Sequence, residues 1–244
     1  MLEQNTFYTM DALDFLRGLP DKSVDLIFTD PPYNVSHKNK IYRDYRSGQR
    51  ADLNYDYGEW DYTYDPIPFL ELAKTKLVHG GSFIIWTSEQ LYGVYRNWAE
   101  QDEEMLPKQQ LIWLKSNPVP NFRKVSHRQG SELMIWIANC SISAKNPNFI
   151  FTTQTDSLNW KFAPICGGKE RLKRPDTGKS HPNQKPLSIC EWVISMHCKP
   201  GGIIVDPYCG VGSIPVAAQR LGRNFIANDF DPVYIEMARS RIVT

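Results

Sequence analysis

The tetrapeptide Asp30-Pro31-Pro32-Tyr33 directly follows the apolar run "VDLIF" and its closing Thr29. An acid there would sit at the C-terminal end of a buried strand, the edge where open α/β sheets bind ligands. Neither proline has a backbone N–H, and both have a fixed φ, so their carbonyls are rigidly held. An exocyclic amino group carries two hydrogens, and the Asp30 carboxylate and the Pro31 carbonyl could accept one each. Its nitrogen lone pair is then drawn out of conjugation and towards an incoming methyl group. Tyr33 offers a ring face for a base taken out of its stack. The plain alternative is an X-Pro-Pro turn in which the acid caps and the ring packs.

A second stretch, "IIVDPYCGVGSIPVAAQRLGRNFIANDFDP", has the order strand, acid (Asp206), glycine turn (Gly210, Gly212), helix, strand, acid (Asp229). In a doubly wound sheet that order brings helix N-terminal amides and a ribose-accepting acid to one crevice, which suits a nucleoside-type cofactor. Pro215 stands where a dinucleotide fingerprint needs its third glycine. Asp206 would also repel a pyrophosphate, whereas it suits a cofactor with a positive amino group such as S-adenosyl-L-methionine (SAM). Alone, the glycines read equally as a tight strand-to-helix turn without a ligand, and Asp229 as a helix cap.

The elements that must hold these residues follow from the apolar pattern. Seven short runs (5–10, 24–29, 81–87, 109–115, 131–138, 202–206 and 224–228) read as strands. They alternate with amphipathic stretches opening at Asp11, Pro66, Ser88, Pro186, Ser213 and Asp231, which read as helices. The alternation predicts an α/β fold with a largely parallel sheet, in one domain over 1–244. Two segments break it. Residues 34–65 read as a long mobile loop, and 139–185 as an insertion with one short strand at 148–153.

Composition narrows the class. The 244 residues are 41% hydrophobic with a formal net charge of +1, so a nucleic-acid partner has to be argued from local charge. Five widely spaced cysteines without a C-x-x-C pair suggest neither a disulfide framework nor a zinc site, and point to a reducing, cytoplasmic setting. The absence of a basic-then-apolar start and of a long apolar run predicts neither a signal peptide nor a membrane partner.

The order and wording of the motifs resemble the beta group of amino-directed DNA methyltransferases, adenine-N6 and cytosine-N4 enzymes. "DPPY" (30–33) comes first and "DPYCGVG" (206–212) last, with "WLKSNPVPNF" (113–122), "SELMIWIAN" (131–139) and "HPNQKP" (181–186) between them. The resemblance implies a doubly wound, seven-stranded SAM-dependent methyltransferase sheet, circularly permuted. It would begin on the usual third strand, end on the first two, and be parallel except for the strand at 131–138. It implies a catalytic site of Asp30, Pro31, Pro32 and Tyr33. For SAM it implies Asp206, Gly210 and Gly212 at the methionine end, Asp229 at the ribose, Asp11 and Ala12 at the adenine ring, Lys185 near the cofactor, and Tyr208 as a further cofactor contact. Tyr208 and Val211 stand for the commoner Phe and Ser, and "AND" (227–229) for "GIE".

Asp at the head of the tetrapeptide resembles the adenine-N6 enzymes; the alternatives are a cytosine-N4 DNA enzyme, an RNA adenine-N6 enzyme, or a non-catalytic nucleic-acid-binding subunit. A cytosine-C5 enzyme is disfavoured because no Pro-Cys nucleophile occurs, and Cys209 reads as an inert small residue. Methyl transfer from a sulfonium calls for no metal. Residues 36–50 carry five basic side chains against one acid, and 161–179 are also basic. Lys38, Lys40, Arg43, Arg46, Arg50, Arg171, Lys173 and Arg174 are therefore candidate phosphate contacts on duplex DNA. A solvated charged loop is the alternative for either segment. A short recognition sequence is expected, read mainly by residues 140–180 of the 139–185 insertion with help from the 36–62 loop. The family context makes a homodimer and a cognate restriction endonuclease candidate partners.

Overall fold

The computed structural model describes residues 2–34, 42–43, 51–52, 64–120, 124, 127–140, 147–154, 157–180 and 183–242. In chain order the elements are β1 (Thr6–Thr9), α1 (Ala12–Arg17), β2 (Val24–Thr29), β3 (Tyr42–Arg43), β4 (Ala51–Asp52), α2 (Ile67–Lys74), β5 (Leu77–Thr87), α3 (Glu89–Gln101), β6 (Met105–Lys115), β7 (Ser131–Asn139), β8 (Trp160–Ala163), α4 (Leu187–His197), β9 (Ile203–Asp206), α5 (Ser213–Arg220), β10 (Asn224–Asp229) and α6 (Pro232–Arg239). Eight strands form one sheet in the order β1-β10-β9-β2-β5-β7-β6-β8, while β3 and β4 pair separately.

Alternation along each central strand explains the layering. Leu26, Phe28, Ile84 and Trp86 face one core, shared with Ile189, Val193 and Ile194 of α4 and Ile214 and Ala217 of α5. Ile27, Phe83 and Ile85 face the other, shared with Phe15 of α1, Phe69 of α2 and Tyr95 of α3. Helices on both faces leave the central strands without a wet side, so they read as continuous apolar runs. Each fully buried side chain of this size contributes roughly 1.5–3 kcal/mol.

Strands β1, β10, β9, β2 and β5 are mutually parallel, and β7 is antiparallel to both β5 and β6. The permuted order holds, because the chain opens on an outer strand and its last two strands insert between β1 and β2. The sheet has eight strands where seven were expected. The eighth, β8, pairs parallel to β6 at the edge, while 148–153 is not a strand. Strand β5 also begins four residues earlier than its apolar run, at Leu77, and β6 at Met105.

Candidate active site

Chain connections run outwards in opposite directions from β9 and β2, which lie side by side. The carboxyl ends of this pair define a topological switch point, where an open sheet leaves a crevice. Asp206 closes β9 and Asp30 follows β2, one acid on each side of it. Asp229 ends the neighbouring β10, and Asp11 follows β1 beyond it. A buried bridge links the central pair, with Thr29 Oγ1 donating to Asp206 Oδ1 at 2.8 Å.

Around Asp30 the side chains form a closed network. Tyr33 Oη donates to Asp30 Oδ1. Lys185 Nζ donates to Asp30 Oδ2 (3.0 Å), Glu132 Oε2 (2.9 Å) and Tyr33 Oη (3.1 Å). An ammonium has three donors, so these acceptors use all of them. Lys115 Nζ holds the second Glu132 oxygen at 2.8 Å. Beneath the lysines lie two indoles, Trp86 at 4.7 Å from Lys185 Nζ and Trp113 at 5.2 Å from Lys115 Nζ. Burial pushes the Asp30 carboxyl upwards, and the Lys185 ammonium only partly offsets it. Burial and the Asp30 charge push the Tyr33 phenol up, so it remains a donor. Burial also raises Glu132, but Lys185 and Lys115 outweigh it and hold that carboxyl below its usual range.

The tetrapeptide is anchored from outside. Ser88 Oγ donates to the Tyr33 carbonyl at 3.2 Å and accepts from Leu91 N as the cap of α3. Asn34, at φ 55°, uses its amide on both backbone groups of Tyr64: Nδ2 to the carbonyl (2.8 Å) and Oδ1 from the N–H (2.9 Å). Asn is among the few residues that tolerate the left-handed region. The two ends of the 34–65 segment therefore meet beside Asp30.

On the other side of the crevice, Asp206 is 2% exposed and accepts only weakly from Tyr208 N (3.3 Å) besides Thr29. Burial pushes its carboxyl well above the usual range. Gly210 N donates to Asp229 Oδ2 (2.8 Å) and Asp231 N to Asp229 Oδ1 (2.9 Å). Burial raises Asp229 as well, against those amides. Gly212 has φ 75°, and a Cβ on it would lie 2.7 Å from Ala238 Cβ, so packing of α6 alone requires glycine there. This donor set fits SAM: a buried carboxylate for an ammonium, a second at the next strand end with lone pairs left for hydroxyls, and glycines between them.

Asp11 caps α1 through Leu13 N and Asp14 N, with buried Ala12 beside it, and Tyr208 packs edge-on against Phe69 and Tyr64. Lys185, expected near the cofactor, has its three donors on the Asp30 cluster, at the same crevice. Arg171 and Lys173 are exposed. Arg174, expected on phosphate, pairs with Asp176 and Asp231 and lies over the Tyr234 ring, which ties its loop to α6. Lys38, Lys40, Arg46 and Arg50 lie outside the described residues, and Arg43 is described only as backbone of β3. Sequence reasoning missed Glu132 and Lys115. Because β7 is antiparallel, its first residues lie at the edge where the parallel strands end, so an acid opening an apolar strand was the available signal. Phe230, directly after Asp229, is 80% exposed.

A family model described as DNA methylase matches residues 24–240. The Type II methyltransferase M.HinfI of Haemophilus influenzae is 32% identical over 98% of this chain and 68% of its own length. The Type II methyltransferase M2.DpnII of Streptococcus pneumoniae is 28% identical over 95% and 87%. Among solved structures, the M1.HpyAVI-SAM complex superposes with a TM-score of 0.71 at 22% identity, covering 97% of this chain and 98% of that one. The cytosine-N4-specific PvuII DNA methyltransferase gives 0.76 at 18%, covering 100% and 88%. At these identities the structural likeness speaks for the fold.

Proposed function

This chain belongs to the DNA methylase family, and we propose that it transfers the methyl group of SAM to the exocyclic N6 of adenine in a short duplex sequence, on a base flipped out of the stack. The observation that carries the reading is the pair of carboxylates, half-buried Asp30 and buried Asp206, on the two sides of the switch-point crevice. SAM supplies an electrophilic methyl on a sulfonium that leaves as a neutral thioether. Asp206 holds the ammonium of its methionine end, Gly210 and Gly212 admit close backbone approach, and Asp229 accepts from the ribose. Asp11, Ala12 and the exposed Phe230 ring border the adenine.

Asp30 and the Pro31 carbonyl accept the two amino hydrogens. Both oxygens of Asp30 already have partners, so the entering amino group shares Oδ1 with the Tyr33 hydroxyl or takes its place. Once the new C–N bond has formed, the nitrogen bears a surplus proton that Asp30 is placed to accept. Tyr33 stacks on the base. Arg171 and Lys173 contact phosphate together with the basic 36–50 segment, and residues 139–185 read the sequence. By their likeness to Type II methyltransferases, a restriction endonuclease of the same DNA word is the expected partner.

Incubation with methyl-labelled SAM and mixed duplex DNA, followed by digestion to nucleosides, is expected to give labelled N6-methyladenine. Label in N4-methylcytosine alone would overturn the base assignment. Preference for RNA over duplex DNA in competition would overturn the substrate.

A further inference from the structure

Four buried or half-buried charges of alternating sign, Asp30, Lys185, Glu132 and Lys115, run from the crevice along the ends of β7 and β6. Lys185 Nζ is nearly equidistant from its two carboxylates, 3.0 Å from Asp30 and 2.9 Å from Glu132. It is 5% exposed and lies over Trp86, which stacks edge-on with Trp113 at 6.1 Å. Salt and water therefore screen Lys185, at the centre of the row, poorly. Burying four charges is a poor route to stability, since apolar side chains of similar volume commonly do as well or better. One lysine would also suffice to pair Asp30. What the second carboxylate adds is competition for the same ammonium.

We propose that Lys185 and Glu132 are positioning residues that act on the reaction through Asp30. Lys185 keeps its carboxylate charged and oriented, and Glu132, braced by Lys115, draws the ammonium back so that Asp30 remains a strong acceptor for the amino hydrogens. This rests on the reading of Asp30 as that acceptor. The ionisable groups facing Asp30 are Tyr33 on its own loop, Lys185 before α4, Glu132 on β7 with Lys115 on β6 behind it, Asp206 on β9 and Tyr95 on α3. Removing either arm of the balance leaves the other in force, so the two substitutions act with opposite sign. Without the ammonium, burial and Glu132 both favour protonated Asp30. Without the Glu132 charge, the ammonium acts on Asp30 alone.

The test is the titration of the Asp30 carboxyl carbon, followed by NMR in the full chain and assigned by its loss in Asp30→Asn. Lys185→Met is expected to raise the midpoint by about one to three pH units, and Glu132→Gln to lower it, as charges within 4–6 Å do. With active protein, the acid limb of kcat/KM moves the same two ways. Should Lys185→Met not fold, Lys115→Met at the outer end of the row is the substitute. It releases Glu132 to take more of the ammonium and raises the midpoint. Shifts of one common sign, or none in folded variants, overturn the inference. A wild-type chain that methylates no nucleic acid would overturn the function instead, because the carboxyl titration stands without turnover.

Discussion

Asp206, proposed to hold the ammonium of SAM, is costly to the free protein. Its carboxylate is almost entirely dry, has one good donor in Thr29, and is pushed towards its neutral form by burial. A raised acid stabilises the fold only at pH values low enough to protonate it, and that contribution is lost as pH rises through its folded value. Ionising it in the free protein is therefore a burden, which the proposed ammonium would relieve. Asp206→Asn keeps an acceptor for Thr29 and Tyr208 and removes the charge. We expect stability in urea unchanged or higher, and SAM affinity by calorimetry down about 30- to 150-fold, the worth of one charge-assisted hydrogen bond of roughly 2–3 kcal/mol. Unaltered SAM affinity would refute the assignment. Asp30, Asp206 and Asp229 were legible in the sequence because each closes an apolar run. Lys185 was legible as a motif residue, but its partners depend on which strand is antiparallel, and Glu132 looked like any solvent-facing acid at a strand start.

Among elements, the turn between β9 and α5 is shaped by packing as much as by chemistry. Gly212 has φ 75° and no room for a Cβ against Ala238 of α6, whereas Gly222, at φ 69°, has nothing within 4 Å of the same position. Gly222→Ala should therefore cost only the left-handed strain, about 1–2 kcal/mol. Gly212→Ala carries that strain plus an overpacking cost of typically 1–3 kcal/mol. It should also weaken SAM binding, because α5 cannot start where it does. Equal urea midpoints for the two variants would show that the α6 contact yields freely. Strand β8 illustrates the opposite limit of legibility. Its burial runs exposed, intermediate, exposed, buried, with Trp160 and Phe162 on the wet side, so the apolar residues mark the wrong face. The more apolar 148–153 drew the strand assignment, although there Phe149 packs as a single ring on Trp136 at 5.2 Å.

At the level of the whole molecule, acid stability is a sum of opposing terms, and one residue separates them. His197, the last residue of α4, is 3% exposed and packs against both Trp136 of β7 and Phe149, themselves stacked, with ring centroids at 4.6 and 5.3 Å. Burial lowers its pKa to about 3. Between that value and about 6.5 the unfolded chain binds a proton that the folded chain refuses, so this contribution is present above pH 6.5 and lost as pH falls. Asp30, Asp206 and Asp229, raised by burial, work in the other sense and gain stability as they protonate. The net slope of stability against pH therefore does not reveal either set, but a difference between two chains does. Between pH 7 and 5, wild type should lose about 2 kcal/mol relative to His197→Phe, by integration of that single shift. Overpacking by the larger ring would lower the variant's whole curve without altering its slope. Parallel curves would mean that His197 takes up its proton as readily in the folded state as in the unfolded one. The segment at stake begins the insertion proposed to read DNA, since Phe149 rests on His197 and Ile150 N donates to Met196 O at 2.8 Å. Protonation of His197 should thus loosen its packing both on Trp136 of β7 and on Phe149 of the segment proposed to read DNA.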